Sequence, residues 1–448
     1  MHTRSLQAEK TTAQVATPWI AVLVLGAVFF FTEHTFDVSL QEGFTDLTED
    51  MLDTAEGGNV SRQIAFLALA AFGAINLLLP GRQFSRPSLP AVLLVSGSIA
   101  WCIVSVLWTT DVNMTVRRLI VMLCCVIGAL GIVKQYSARQ LLKAALVLSA
   151  SFLALGVATE LVLGTFRPFS AEYRFSGSLH PNTQSMNLVV LCLAAFCLAR
   201  ERAPRRGWLL AIFCVGLTFL LLTKSRTGLA ALVASIAFLW IGSTHFRTKL
   251  IGASGILWTV STAALLLALF GFDPLEKMTD AALMGRREDA TSLTLRIPLW
   301  EELSTYVMER PIAGYGFESF WTPDRIESLS DSVEWGARES HSRYIDTLLA
   351  LGLVGLVLML ATTFAGLTLA WALFRQTGEP GYGFICGVLV FGLVDGITES
   401  GMVAPLFATF LSGVGLLHVV WYGGRTFSLP KFATAPLAPA TMSCHASN

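Results

Sequence analysis

Apolar runs of about 20 residues recur along this chain, and they restrict what it can fold into more than any other feature. Each run is long enough to cross about 30 Å of hydrocarbon as a helix. Twelve are found, at 18–36, 63–79, 89–108, 119–133, 141–164, 184–199, 207–223, 227–242, 250–271, 344–374, 382–399 and 404–422. The fourth is short, and the tenth is long enough to begin outside the bilayer. None alternates with period two, which excludes a β-barrel. Composition agrees: 54% of the 448 residues are hydrophobic and only 14% are charged, against about 25% in a soluble protein. A soluble domain of this size cannot hide that much apolar side chain. The expected fold is an all-α integral membrane protein of about 12 transmembrane helices.

The net charge is zero, from 31 basic and 31 acidic residues, but the charges are sorted along the chain. With the N-terminus on the cytoplasmic side, the inner segments carry 16 basic residues and three acids, Glu9, Glu201 and Glu379. The outer segments carry the remaining 15 basic residues and 28 acids. Cytoplasmic loops are enriched in Lys and Arg, so both termini are expected inside. The expected organisation is a cytoplasmic N-terminus (1–17), a membrane domain (18–425) and a disordered cytoplasmic tail (426–448). Periplasmic loops are expected at about 37–62 and 272–343. The first span is expected to be retained rather than cleaved as a signal, for want of a strongly basic flank and a small-x-small site. Seven of the eight cysteines fall inside expected spans and the other, Cys444, lies in the tail. No disulfide framework or thiolate metal cluster is expected.

The loop of about 70 residues before the tenth span is too long to be a mere connection. A helix is expected to begin near Thr294, with Pro298 in its first turn and Glu301 and Glu302 at the positive end of its dipole. Leu299, Trp300, Leu303 and Val307 form an apolar stripe at helical spacing. A turn follows at Arg310-Pro-Ile-Ala-Gly-Tyr-Gly-Phe, where Gly314 and Gly316 permit tight geometry.

Several cations stand on the outer side, where topology does not call for them: Arg117, Arg118, Arg167, Arg174, Lys224, Arg226 and Arg296. Lys224-Ser225-Arg226 puts two cations in a short turn between spans seven and eight. Ser225 or Thr227 can cap the helix that follows. An arginine fork beside a helix N-terminus suits a phosphate or diphosphate. Snorkelling to lipid headgroups explains the same turn equally well. His341, in Glu-Ser-His-Ser-Arg-Tyr, is placed to accept a proton near neutral pH, or is an ordinary interface residue. His180, in Ser-Leu-His-Pro-Asn182, has the same two readings. Asp395, Glu399 and Glu160, near outer span ends, are candidates to hold the outer arginines. His418 reads as a packing histidine. There is no Walker loop, dinucleotide fingerprint or nucleophile elbow, and no metal or cofactor is expected.

In their order these pieces resemble the bacterial O-antigen ligase and polymerase superfamily, and its exopolysaccharide-polymerase branch in particular. The pieces are Thr115-Val-Arg-Arg118, Arg174-Phe-Ser-Gly-Ser-Leu-His-Pro-Asn182, Thr223-Lys-Ser-Arg-Thr-Gly228, Leu295-Arg-Ile-Pro-Leu-Trp300, Arg310 to Trp321, His341-Ser-Arg-Tyr, Leu351-Gly-Leu-Val-Gly355 and Thr398-Glu-Ser400. Ser342 stands where the family often has Asn, and Leu295 where the polymerase branch often has Gly. The resemblance implies about twelve helices and a partly helical periplasmic loop between spans nine and ten. It implies a metal-independent glycosyltransferase that moves a glycan from undecaprenyl diphosphate to a sugar hydroxyl, with inversion and without a cofactor. It maps the family's key arginines onto Arg226 and Arg296 and its histidine onto His341, the candidate catalytic residues. Arg117, Arg174, Lys224, His180, Asn182 and Glu399 are the candidate substrate-binding residues.

The expected reaction is polymerisation of undecaprenyl-diphosphate-linked oligosaccharide repeats for exopolysaccharide or O-antigen, at the periplasmic face of the bacterial inner membrane. Ligation of the finished glycan to lipid A–core is the near alternative, and a polysaccharide transporter the reading from another class. Expected partners are the lipid-linked substrate, membrane lipids, a chain-length regulator and a flippase, with no nucleic acid.

Overall fold

The computed structural model describes residues 18–33, 60–82, 87–170, 173–201, 206–243, 291–333, 336–337, 339–400 and 405–424. The expected span at 250–271, both termini and most of the first outer loop lie outside these residues. Among the described residues the regular elements are all helical. The α-helices are α1 (Pro18–Glu33), α2 (Val60–Leu78), α3 (Leu89–Val104), α4 (Val112–Gln135), α5 (Ala138–Leu163), α6 (Pro181–Ala199), α7 (Arg206–Leu222), α8 (Arg226–Ser243), α9 (Thr291–Glu309), α10 (Pro323–Val333), α11 (Arg343–Thr377), α12 (Pro380–Asp395) and α13 (Phe407–Tyr422). Six of them (α2, α3 with its 3-10 extension, α4, α5, α6 and α11) are long and apolar enough to cross a membrane. Five more apolar helices are shorter. The molecule is a helical membrane protein.

Helix α6 is the axis of the bundle. Fifteen of its 19 residues are buried, and it packs against α5, α7, α8 and α12. That burial explains its run from Leu188 to Ala199, apolar all round rather than striped. Elsewhere apolar side chains such as Leu23, Leu78 and Val162 face outward, as lipid requires. Without a hydrophobic force between helices in lipid, close packing needs small residues. Helices α2 and α4 meet in this way at Gly73, Gly128 and Gly131, where a Cβ on Gly73 would overlap the backbone of Ile127 and Gly128.

Most boundaries shift by a few residues, and three of the shifts bear on the candidate site. Helix α4 starts seven residues before the expected span, because Asp111 caps it by accepting from Met114 N at 2.9 Å. Helix α9 starts at Thr291, so Pro298 lies inside it rather than in its first turn. Helix α12 stops at Asp395, which leaves Glu399 in the turn beyond.

Helix α11 is broken at Gly352, whose φ of 65° and ψ of −165° are not helical. The turn after α9 replaces the lost ladder. Tyr315 N and Gly316 N donate to Leu349 O and Ala350 O at 2.8 and 2.9 Å. Leu353 N and Val354 N donate to Pro311 O and Ile312 O at 2.8 and 3.3 Å. Irregular backbone within a helix long and apolar enough to span a membrane is tolerated only where protein satisfies it. A Cβ at Gly352 would overlap Ile312 O. The Gly-Tyr-Gly turn and the Leu-Gly-Leu-Val-Gly start of the span therefore form one unit. Above it, Leu299, Leu303, Tyr315, Phe320, Trp321, Ile326, Leu329 and Leu349 make a small second core that seats α9 and α10 on the bundle. Of the expected stripe, Leu299 and Leu303 are fully buried and Trp300 and Val307 partly so.

Candidate functional site

The turn between α7 and α8 comprises Thr223, Lys224 and Ser225, and its geometry comes from local hydrogen bonds. Lys224 takes a left-handed φ of 52°. Ser225 Oγ accepts from Gly228 N at 3.3 Å, the helix cap the sequence offered. It also lies 3.0 Å from Ser185 Oγ on α6. Arg226 is the first residue of α8, half-buried beside this cap.

Hydrogen bonds and one ion-pair contact run from Thr223 round to Thr227, which stand on either side of Arg226 in the chain. Arg174 Nε donates to Thr223 O at 2.8 Å. Its Nη2 donates to Asn182 Oδ1 at 2.6 Å. Asn182 Nδ2 donates to Glu399 Oε1 at 2.7 Å. Arg296 Nη2 stands 3.7 Å from that same carboxylate oxygen, and its Nη1 donates to Thr398 O at 2.7 Å. Thr398 Oγ1 is 2.7 Å from Thr227 Oγ1, next in chain to Arg226. The circuit joins α6, α8, α9 and the turn after α12, which are far apart in sequence.

Burial raises the Glu399 carboxyl to about 8, and the nearby Asp395 carboxylate adds to the rise. Arg296 opposes it, Glu339 adds to it, and Arg174 opposes it. Near neutral pH a carboxyl raised in this way carries less negative charge than an ordinary glutamate, so it offsets Arg174 and Arg296 less. A circuit of this kind suits an anion.

His341 lies in the short segment that leads into α11. Its φ is 53°, left-handed for a residue with a Cβ. Its Nδ1 is 3.2 Å from Glu339 Oε1, with both side chains partly exposed. Arg343 N, two residues on, donates to Gly396 O at 2.9 Å and approaches Glu399 O at 3.3 Å. The histidine segment is thus tied to the turn that carries Glu399.

Of the sequence-derived residues, Arg174, Asn182, Arg296 and Glu399 are joined directly, and Arg226, Lys224 and His341 stand on segments bonded to them. His180 is used otherwise: its Nδ1 accepts from Asn182 N at 3.3 Å and caps α6. Arg118 of α4 has its Nη1 3.5 Å from Glu318 Oε2; Arg117, one position earlier, is largely exposed. Glu160 accepts from Tyr173 Oη, and its Oε1 accepts from Ser176 N and Gly177 N at 3.0 and 2.7 Å. It shapes the loop that presents Arg174. His418 is buried against Tyr382 and Tyr422, with Nε2 3.4 Å from Arg82 Nη1, at the other end of the bundle.

Sequence reasoning missed Glu318 and Asp346. Glu318 has a left-handed φ of 51°, and burial raises its carboxyl to about 7 against the pull of Arg118, with Asp346 adding to the rise. Its signal in the sequence was only a carboxylate directly after the Gly-Tyr-Gly-Phe turn. Asp346 is buried in the first turn of α11. Among the described residues no three His, Cys, Asp or Glu side chains gather in a way that could hold a metal ion.

Residues 209–360 match the family model described as O-antigen ligase. The matched segment includes Arg226, Arg296 and His341. The chain is also 24% identical to the exopolysaccharide production protein ExoQ of Rhizobium meliloti (strain 1021), over 59% of this chain and 62% of that protein. The chain thus covers less than two thirds of that relative's length. The two findings support the O-antigen ligase superfamily, and the exopolysaccharide branch, that the motifs resemble.

Proposed function

We propose that the protein is a glycosyltransferase that lengthens an exopolysaccharide or O-antigen by joining lipid-linked repeat units. The donor is a glycan on undecaprenyl diphosphate, and the acceptor is a sugar hydroxyl of a second lipid-linked unit. The observation that carries this reading is the polar circuit through Arg174, Asn182, Glu399 and Arg296, which begins at Thr223 and ends at Thr227 on either side of Arg226 in the chain, with a strained histidine on the adjoining segment.

Diphosphate is already a good leaving group, so the reaction needs charge stabilisation more than acid. Arg226 and Arg296, with Arg174 and Lys224 beside them, hold the charge that develops on the diphosphate as the glycosidic bond breaks. Glu399, raised by burial, offsets that positive charge less than an ordinary glutamate would. His341 takes the proton from the acceptor hydroxyl as its oxygen attacks the anomeric carbon. Attack opposite the leaving diphosphate inverts that carbon. The products are the lengthened lipid-linked glycan and free undecaprenyl diphosphate. Arg117, exposed on α4, serves the polar surface over which the glycan passes, and His180 positions Asn182.

In this reading the protein lies in the bacterial inner membrane with twelve spans and both termini cytoplasmic. The site faces the periplasm, and a flippase and a chain-length regulator are its working partners. The excess of basic residues in the segments assigned to the inside, 16 against three acids, supports the sidedness.

Deleting the gene in its host and restoring it as Arg226→Ala or His341→Ala tests the assignment. Loss of a polymerase leaves single repeat units on the carrier lipid. Loss of a ligase leaves long polymer on the carrier instead, and that result would replace polymerase by ligase. Normal polymer from Arg226→Ala at equal membrane abundance would remove the diphosphate site altogether.

A further inference from the structure

Asp346 touches neither the arginines nor the histidine, yet it joins the three segments that surround them. Its Oδ1 accepts from Trp321 Nε1 at 3.1 Å, on the outer loop. The same atom accepts from Ser340 N at 3.2 Å, next in chain to His341. Its Oδ2 accepts from Ser400 Oγ, next in chain to Glu399. The carboxylate is 5% exposed and sits one turn into α11.

Ser340 is held at its other polar atoms as well. Its carbonyl accepts from Trp300 Nε1 at 2.7 Å. Its hydroxyl donates to Ser342 O at 2.8 Å and accepts from Ser342 N at 3.0 Å. A left-handed conformation at a residue with a Cβ persists only where the surroundings over-determine it. Between Ser340 and Ser342, those surroundings fix His341.

We infer that Asp346 is a positioning residue: a buried carboxylate clamp that holds His341 in its left-handed conformation and in register with the turn that carries Glu399. The inference rests on the reading of His341 as the proton acceptor, which deepens the proposed function. A carboxylate suits the position because it accepts three hydrogen bonds from three directions while donating none. Asparagine can reproduce all three contacts, since its oxygen serves Trp321 and Ser340 and its amide donates to Ser400 Oγ. Alanine can reproduce none.

The test compares Asp346→Ala, Asp346→Asn and His341→Ala, purified as full chains in detergent and supplied with the host's own lipid-linked repeat unit. Displacing a catalytic group by about 1 Å costs on the order of 10²-fold in rate. Asp346→Ala is therefore expected to lose kcat by roughly that factor while KM stays within about threefold. Asp346→Asn should keep most of kcat. Amide hydrogen exchange across residues 339–343 should speed up in the alanine variant and not in the asparagine one. Where Asp346→Ala does not fold, Ser400→Ala removes one contact and should show a smaller fall in kcat.

Wild-type kcat in Asp346→Ala, or in Ser400→Ala where that variant stands in, overturns the clamp. So does an equal loss in the Asn and Ala variants, or a loss confined to KM. His341→Ala separates the two ideas. Full activity there overturns the role of His341, whereas loss there beside an active Asp346→Ala overturns the clamp alone.

Discussion

Lys224, Glu318 and His341 are the non-glycine residues with left-handed backbone among the described residues, and all three stand at the end of the bundle that carries the candidate site. Such conformations cost on the order of 1–3 kcal/mol each and gather at functional sites. Glu318 permits a separation of strain from charge. Glu318→Gly relieves the backbone and Glu318→Ala does not, while both remove the partner of Arg118. The glycine variant should melt above the alanine variant in detergent; the reverse order would mean that φ is not strained there. At Arg226 the geometry of the side chain is the question. Arg226→Lys keeps the charge and loses the two-pronged fork, so it should lose most of the polymer-forming activity at equal abundance. Lysine that works as well as arginine would reduce the site to a point charge. The cations themselves were legible in the sequence, because a positive charge on the outer side lacks a topological reason. The face of the helix was not legible. Consecutive residues on a helix point about 100° apart, so the sequence did not show that Arg118 is the one that meets Glu318. Nor could spacing show that Asn182 and Glu399 share a hydrogen bond across 217 positions.

At the scale of elements, the break in α11 controls how the outer loop is seated. Its expected length and its Gly-containing start were readable, but a glycine in an apolar run signals neither a kink nor its partner. Long-range pairing with the Pro-Ile-Ala-Gly-Tyr-Gly turn supplies the reason. Gly352 and Gly378 share a φ of 65°, yet a Cβ meets Ile312 at the first and nothing within 4 Å at the second. Gly378→Ala should therefore cost only the left-handed strain, about 1–2 kcal/mol. Gly352→Ala should cost clearly more, read as a larger drop in melting temperature or as failure to accumulate. Equal effects would mean that the loop does not dock on the break. Pro298 misled for a physical reason: proline favours the first turn of a helix, but a helix that starts at Thr291 carries it further in. The cap that extends α4 back to Val112 is a local signal, Asp111, outweighed in the reading by hydropathy.

For the whole molecule, sidedness and protonation can be tested without assuming the chemistry. In a chain whose eight cysteines are replaced, a cysteine at Ser328, exposed on α10, should react with an impermeant thiol reagent added to the periplasm. One at Gly207 should not, and the opposite pattern would invert the topology. Glu318 and Glu399 are both raised in the folded state, to about 7 and about 8, from 4.5. A folded state that holds a proton more tightly than the unfolded chain is favoured at low pH. Their contribution is complete below about pH 4.5 and is lost as pH rises through 7 to 8. Thermal stability in detergent should therefore fall across that window, and fall less in Glu318→Gln/Glu399→Gln. An identical slope in that double variant would show that these carboxyls are ionised already. The central claim is that this chain alone joins glycans, with arginines on the diphosphate and His341 on the hydroxyl. The direct measurement supplies the purified protein in detergent with undecaprenyl-diphosphate oligosaccharide as sole substrate, with EDTA and without nucleotide. Longer glycans and free undecaprenyl diphosphate are expected to form together, with a rate that falls as the imidazole protonates at acid pH. His341→Ala should lose about 10²–10⁴-fold. Full turnover by His341→Ala with the same acid limb, or no turnover without an energised membrane while lipid-linked substrate crosses vesicles, would contradict it.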